Sequence, residues 1–135
     1  RYPEIRDYMD RMKEEAKANG YVTTPFGRRC WVPGIGDRNA ARRSYAERQA
    51  INAPLQGGAA DIIKRAMVRL PRVLADAGLD GRLRLQVHDE LVFEVRQGQE
   101  GDLSELVKQV MESAADLSVK LVVETGTGAN WADAH

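Results

Sequence analysis

Hydrophobic and polar residues alternate through residues 83–95, on both sides of a short acidic break. Alternation with a period of two places every second side chain on the same face, which is typical of a half-buried β-strand. Two such runs separated by a few polar residues predict a β-hairpin. Most other hydrophobic residues recur at helical spacing, so the rest of the chain is interpreted around this hairpin.

The register of the hairpin is predicted from the side chains that would share a face, because opposed residues of an antiparallel pair do so. A two-residue loop at residues 89–90 would mix hydrophobic and polar faces, so a three-residue loop at residues 88–90 is favoured. It pairs Val87 with Leu91, Leu85 with Phe93, Leu83 with Val95 and, on the other face, Arg84 with Glu94. Asp89 then lies at the tip, with Gln86 and Arg84 on the open face behind it.

The other elements follow from periodicity and from turn residues. A helix is predicted over residues 3–18, short strands over 21–24 and 29–32, and two helical segments over 40–53 and 55–77. Pro54 should break or kink the axis between those segments, because it lacks a backbone donor. A last helix should begin at a capping box in residues 102–105, and a strand is predicted over 120–125. The expected fold class is α+β, an antiparallel sheet with a central β-hairpin covered on one face by helices.

The central helical region carries two stripes of different character. The predicted buried stripe comprises Ile51, Leu55, Ala59, Ile62, Ala66, Leu70 and Val73. Arg48, Asn52 and Gln56 recur at intervals of four and form a polar stripe beside it. Guanidinium and amide donors can bind minor-groove acceptors that every base pair presents. The alternative is an ordinary solvated helix face, and spacing alone leaves both readings open.

Composition limits the classes of protein that fit. The chain has 135 residues, 43% of them hydrophobic and 30% charged, which suits one folded domain or part of one. Cys30 is the single cysteine, which excludes an internal disulfide and suits a reducing cytoplasm. The sequence has no apolar run long enough to span a membrane. It begins at Arg1 within a pattern that is already helical, as a cut fragment would.

Charge is balanced overall but unevenly distributed. The chain has 20 basic and 20 acidic residues. Residues 28–48 hold six arginines against two acids, a net of +4, whereas residues 97–135 hold seven acids against two lysines, a net of −5. This asymmetry suggests one face for a polyanion, although a solvated surface would explain it equally well. Arg28 and Arg29, in the turn between the first two strands, could hold phosphates or simply face solvent.

The hairpin tip carries the candidate chemistry. A lone Asp89 in a turn would be read as a turn residue, because aspartate is common there. Here Glu90 and His88 are its neighbours, and clustered oxygen ligands suit a hard divalent cation such as magnesium. A two-metal phosphoryl-transfer site needs more carboxylates than these two, so further ligands would have to come from outside the hairpin.

Four blocks of the sequence, in matching order, resemble the family A DNA polymerases, the group that includes bacterial DNA polymerase I. Residues 86–92 (QVHDELV) look like motif C of that family, and residues 20–29 (GYVTTPFGRR) resemble the segment after its fingers. Residues 47–61 (ERQAINAPLQGGAAD) resemble the helices beneath its active site, and residues 126–131 resemble its C-terminal end. The resemblance covers essentially the whole chain and identifies residues 1–135 as the C-terminal part of a polymerase palm domain.

The resemblance implies a reaction, a metal and a set of contacts. A primer 3′-hydroxyl would attack the α-phosphate of a deoxynucleoside triphosphate with the help of two Mg²⁺ ions. Asp89 is implied as a metal ligand and Glu90 as a neighbouring carboxylate, with its direct metal contact left open. The implied primer–template contacts are Arg48, Asn52, Gln56, Gln86 and His88. The implied setting is replication and repair in the bacterial cytoplasm.

Two parts of the family pattern are missing from these residues. They are the earlier motif with the other metal-binding aspartate and the fingers helix that holds the incoming nucleotide. We therefore expect a fragment that works with the remainder of a polymerase chain and cannot polymerise alone. The alternative is a non-catalytic nucleic-acid-binding module. A metal-dependent phosphohydrolase built on His88 and Asp89 is disfavoured, because His135 is the only other histidine.

Overall fold

The computed structural model describes residues 2–135. The helices are α1 (Pro3–Asn19), α2 (Ala40–Asp76) and α3 (Glu100–Glu112), with a 3₁₀ turn at Ala132–Ala134. The strands are β1 (Tyr21–Thr23), β2 (Arg29–Trp31), β3 (Gly81–Val87) and β4 (Glu90–Val95), paired as two antiparallel hairpins. The α+β class is confirmed, with two small sheets. Arg1, where the sequence pattern was already helical, lies outside the described residues.

The chain forms two compact units, Arg1–Asp61 and Ile62–His135, and the boundary falls within α2. The first unit has its own apolar core, drawn from α1, the β1–β2 hairpin and the first half of α2. Its buried members are Met12, Ala16, Val22, Val32, Ile35, Ala46 and Ala50. The left-handed Gly20 ends α1 and lets β1 follow directly.

The second unit has a separate core between the rest of α2, α3 and the β3–β4 hairpin. Its buried members are Ala66, Leu70, Leu74, Leu103, Val107, Val110 and Ala114. Leu91, Phe93 and Val95 alternate along β4 and pack against this core. The helices therefore cover one face of the hairpin, as predicted.

The predicted hairpin register is wrong. Val87 pairs with Glu90, so the loop consists of two residues, His88 and Asp89. A bulge between Leu83 and Leu85 adds one residue to β3 and shifts the register. The prediction assumed unbroken alternation, which a bulge interrupts.

The bulge changes which β3 side chains face the core. Leu83 now pairs with Phe93, and Leu85 pairs with Val92 and is 49% exposed. Gln86 lies opposite Leu91. Side chains near the tip of β3 are therefore on the opposite face from the predicted one. The expected Arg84–Glu94 charge pair still forms, with 2.6 Å between Arg84 Nη2 and Glu94 Oε2.

The two predicted helical segments form one helix, because α2 is continuous from Ala40 to Asp76 and does not break at Pro54. Pro54 is buried within this helix, at the cost of one backbone hydrogen bond that proline cannot donate. The buried stripe is partly different too, since Leu55 is 61% exposed and Ala59 is exposed. In the first half of α2 the buried positions are Ala46, Ala50, Pro54, Gly58 and Asp61.

Two predictions near the C-terminus are corrected. Helix α3 begins at Glu100 with Gln99 at its N-cap, so residues 102–105 lie inside the helix and form no capping box. Residues 120–125 form no strand. A strand needs a neighbour for its backbone groups, whereas here the Val123 N–H donates to Glu112 Oε1 at 3.0 Å. Across residues 2–135, every helix is too short or too polar to serve as a membrane span.

Candidate functional site

The β3–β4 hairpin holds two neighbouring carboxylates at its apex. Asp89 is in the two-residue loop and Glu90 is the first residue of β4, and both side chains are exposed. His88, the other loop residue, has a left-handed backbone with φ of 52°. A loop this short fixes the chain direction on both sides, so the paired strands β3 and β4 present the Asp89 carboxylate at the apex.

The donor chemistry at this apex fits part of a magnesium site. Carboxylate oxygens are the hard ligands that Mg²⁺ prefers, and exposed side chains leave room for its water ligands. Among residues 2–135, no three His, Cys, Asp or Glu side chains are grouped so as to hold a metal ion. Asp89 could hold the ion only as part of a larger ligand set, with Glu90 as a neighbouring carboxylate.

The C-terminal residues lie beside the same apex, a contact that sequence reasoning missed. His135 Nε2 lies 3.8 Å from Glu90 Oε2, and the rings of His135 and Trp131 have centroids 6.0 Å apart. Glu90 and His135 are 45 positions apart, and no periodicity relates them.

The predicted primer contacts near the tip are both exposed. Gln86 Nε2 donates to the His88 carbonyl at 3.3 Å, so the two residues are coupled across the start of the loop. This hydrogen bond orients the Gln86 side chain toward the tip. The structure thus brings Gln86, His88 and Asp89 together, as the sequence suggested.

The polar stripe of α2 is present in the first unit. Arg48, Asn52 and Gln56 are all exposed, at successive turns of one helix face. Arg48 Nη1 donates to Ser44 Oγ at 3.0 Å, and its guanidinium carbon lies 5.9 Å from the centre of the Tyr45 ring. The helical spacing of these residues was sufficient to predict that they share one exposed face.

Arg28 makes an internal ion pair that the sequence did not indicate. Its Nε donates to Asp61 Oδ1 at 2.7 Å and its Nη2 donates to the Gly57 carbonyl at 3.0 Å. The Asp61 side chain is only 10% exposed. The hydrogen bond that Arg28 donates to Asp61 is the main cause that raises the pKa of the Arg28 guanidinium. Arg29 lies with its guanidinium carbon 4.9 Å from the centre of the Tyr21 ring.

The two glycines of α2 allow the β1–β2 turn to approach the helix closely. A Cβ at Gly57 would lie 2.8 Å from Thr24 Cγ2, and one at Gly58 would lie 3.1 Å from Pro25 Cδ. Glycine has no Cβ, so two successive glycines in a helix leave room for another segment to approach closely. In this structure the turn itself occupies that space.

Comparisons with known proteins agree on one family. The family model "DNA polymerase family A" matches residues 1–133. DNA polymerase I from Pseudomonas aeruginosa is 52% identical over 135 residues, which is 100% of this chain and 15% of that relative. DNA polymerase I from Geobacillus stearothermophilus is 48% identical over 133 residues, 98% of this chain and 15% of the relative.

A solved structure gives the same result. It is titled as the POL domain of Pol1 from M. smegmatis in complex with DNA primer-template and dNTP. It has a TM-score of 0.90 and 46% identity, over 96% of this chain and 23% of that one. The chain thus spans about a seventh of the curated relatives it matches. With a family model covering residues 1–133 and close relatives aligned along its length, the chain belongs to DNA polymerase family A.

Proposed function

We propose that this chain is the C-terminal part of the palm of a DNA polymerase that synthesises DNA on a template. Family membership supports this, as does the likeness to a polymerase domain described with DNA primer-template and dNTP. The reaction would be attack of a primer 3′-hydroxyl on the α-phosphate of a dNTP. The observation that carries the proposal is the Asp89 carboxylate, exposed at the apex of a two-stranded antiparallel hairpin.

Asp89 is proposed as a metal ligand and Glu90 as its neighbour at the metal site. Bound Mg²⁺ would lower the pKa of the primer hydroxyl and stabilise negative charge on the reacting phosphates. The remaining ligands would come from other parts of the polymerase. His135, beside Glu90, would limit the directions in which the Glu90 carboxylate can turn.

The DNA contacts are proposed on two surfaces. Arg48, Asn52 and Gln56 would donate to minor-groove acceptors that recur in every sequence, as an enzyme that copies any template requires. Gln86 and His88 would place the primer terminus. Arg29 is proposed as a phosphate contact, and so is Arg28, whose Nε and Nη2 are already engaged by Asp61 and Gly57.

The proposed partners are primer–template DNA, dNTP and the remainder of a polymerase chain. The proposed setting is replication and repair in the bacterial cytoplasm, the compartment that holds the template. The single cysteine, Cys30, is a free thiol in the structure.

Asp89→Asn tests the proposal in the full encoded polypeptide. Removing a metal ligand should weaken transition-state stabilisation by several kcal/mol, so we expect about a thousandfold slower primer extension. Duplex affinity should stay close to that of the parent, because the stripe on α2 is unchanged. Single-turnover extension and a binding titration measure the two quantities.

Asp116→Asn is the matched control, because Asp116 is an exposed aspartate in the same unit and lies outside the β3–β4 hairpin in the sequence. It should extend primers at the parental rate. An unchanged rate in Asp89→Asn would exclude the metal role. If the encoded polypeptide bound duplex but never extended a primer, the non-catalytic binding module would be favoured instead.

A further inference from the structure

The polar face of α2 extends beyond the three residues that the sequence pattern identified. Tyr45 precedes Asn52 by seven residues and Gln56 by eleven, and both intervals return a helix to nearly the same direction. The Tyr45 side chain is 58% exposed. An aromatic ring this exposed, in line with proposed DNA-binding residues, is a candidate for contact with the same ligand.

Neighbouring side chains hold Tyr45 in a defined position. Gln49 Nε2 donates to Tyr45 Oη at 2.9 Å, one turn along the helix. Because Oη accepts this bond, the proton of the hydroxyl is directed elsewhere and can be donated to a ligand. The Arg48 guanidinium lies over the ring with 5.9 Å to its centre, within cation–π range. The Tyr45 ring therefore packs against the Arg48 guanidinium, and the Tyr45 hydroxyl can donate a hydrogen bond to a ligand.

A shallow groove of about 500 Å³ adjoins Tyr45 at the start of α2, lined by Pro33, Gly34, Asp37, Ala41, Arg42 and Tyr45. The Asp37 carboxylate forms an ion pair with Arg42, with 3.6 Å between Asp37 Oδ2 and Arg42 Nη1. Residues 37–48 carry four arginines against Asp37 and Glu47, a net of +2. The groove is therefore bordered by net positive charge, which complements a sugar–phosphate backbone.

We propose that Tyr45 and Arg42 form a further contact with the duplex, at about 10 Å and about 15 Å along α2 from Asn52 at a rise of about 1.5 Å per residue. The Tyr45 hydroxyl donates to a backbone phosphate oxygen and its ring packs against the adjoining deoxyribose. Arg42 binds a phosphate by charge. This inference rests on the proposed function, because it assumes that the Arg48–Asn52–Gln56 face meets primer–template DNA.

The two contacts should differ in how salt affects them. A neutral hydroxyl displaces no counterion from a phosphate, so its loss should lower affinity without changing the salt dependence. Loss of one arginine–phosphate contact should reduce the slope of log affinity against log salt by about 0.9. An unchanged salt slope therefore identifies a lost hydrogen bond, and a reduced slope identifies a lost ionic contact with a phosphate.

The test is a titration of a fluorescent primer–template duplex with the full encoded polypeptide at several salt concentrations. Tyr45→Phe should bind about three- to tenfold more weakly with an unchanged salt slope, as expected for one lost hydrogen bond. Tyr45→Ala should bind more weakly still, because the ring beneath Arg48 is also removed. Arg42→Ala should show the smaller slope. Tyr2→Phe, at a tyrosine 66% exposed at the start of α1, is the matched control and should bind like the parent.

Arg48→Ala distinguishes failure of this inference from failure of the proposed function. If Arg48→Ala weakens binding while both Tyr45 variants and Arg42→Ala match Tyr2→Phe, the further contact is excluded and the proposed stripe stands. If Arg48→Ala also binds normally, both are excluded. A loss in Tyr45→Ala with none in Tyr45→Phe would overturn the phosphate hydrogen bond. Thermal unfolding of each variant identifies any loss that reflects folding.

Discussion

At the scale of single residues, distant neighbours decide what a side chain can do. Arg28 lies in a Pro/Gly turn, where an exposed phosphate contact was a reasonable expectation. In the structure its guanidinium meets Asp61, 33 positions away, and the carbonyl of Gly57. Nothing in the spacing of these residues relates them, because α2 and the β1–β2 turn meet only through packing.

Gly57→Ala should destabilise the protein. The new methyl would lie 2.8 Å from Thr24 Cγ2, and Thr24 is buried with its hydroxyl accepting the N–H groups of Phe26 and Arg28. We expect a loss of about 1–3 kcal/mol from overpacking, larger than the helix-propensity gain of about 1 kcal/mol from glycine to alanine. Urea unfolding measures it.

Gly101→Ala is the matched control, because a Cβ at this helical glycine would meet nothing within 4 Å. It should stabilise the protein by about 0.5–1 kcal/mol. Destabilisation by Gly57→Ala together with stabilisation by Gly101→Ala would confirm that the β1–β2 turn approaches Gly57 closely. If both variants were equally stabilised, the β1–β2 turn would not be in close contact with Gly57.

At the scale of elements, periodicity predicted the helices and both hairpins, but it also predicted a strand at residues 120–125 that does not form, and it misplaced element boundaries. Helix α3 illustrates this. A capping box was expected at residues 102–105, whereas the helix begins two residues earlier at Glu100. The Glu100 carboxylate accepts the Gly98 N–H at 2.8 Å, so a backbone group outside the helix is satisfied at the turn before it. Boundaries depend on such local hydrogen bonds, which a hydrophobic pattern does not contain.

The start of α3 predicts a specific response to acid. Hydrogen bonds from the backbone N–H groups of Glu100 and Gly98 lower the pKa of the Glu100 carboxyl below its usual 4.5. A lowered folded-state pKa contributes stability above the unfolded pKa, and that stability is lost as pH falls through the folded value. Glu100→Gln should therefore be less stable than the parent at pH 7, and the difference should shrink below about pH 4.5.

Urea midpoints of parent and variant, measured across pH 2–7, test this response. The expected difference is small, because solvent screens the carboxylate. A difference that stays constant across this range would contradict the assigned hydrogen bonds. So would a variant more stable than the parent at neutral pH.

At the scale of the whole molecule, the chain consists of two separately packed units. Each unit has its own buried core. The chain spans 15% of the Pseudomonas aeruginosa relative, and the proposed activity belongs to such a longer enzyme. Asp89 and Glu90 supply two adjacent carboxylates, whereas Mg²⁺ needs several oxygens placed around it before it gives up its waters.

A polypeptide of these 135 residues made alone should therefore give no detectable primer extension with Mg²⁺ and all four dNTPs. The full encoded polypeptide, assayed in parallel, should extend the same primer. The 135-residue chain carrying Asp89→Asn is the control for contaminating polymerase, since a contaminant would act equally in both preparations. Extension by the parental chain and not by Asp89→Asn would show that these residues suffice.

The sequence by itself determined the α+β class, the apex carboxylate and the polar face of α2. Each depends on residues close together in the chain, where a period of two or of 3.6 relates neighbours directly. Tertiary structure alone decided the bulge in β3, the partner of Arg28, the exposure of Leu55 and the contact between Glu90 and His135. These features depend on which surfaces pack together. A local pattern describes a single segment, whereas the energy of these contacts comes from packing between segments that are distant in the sequence.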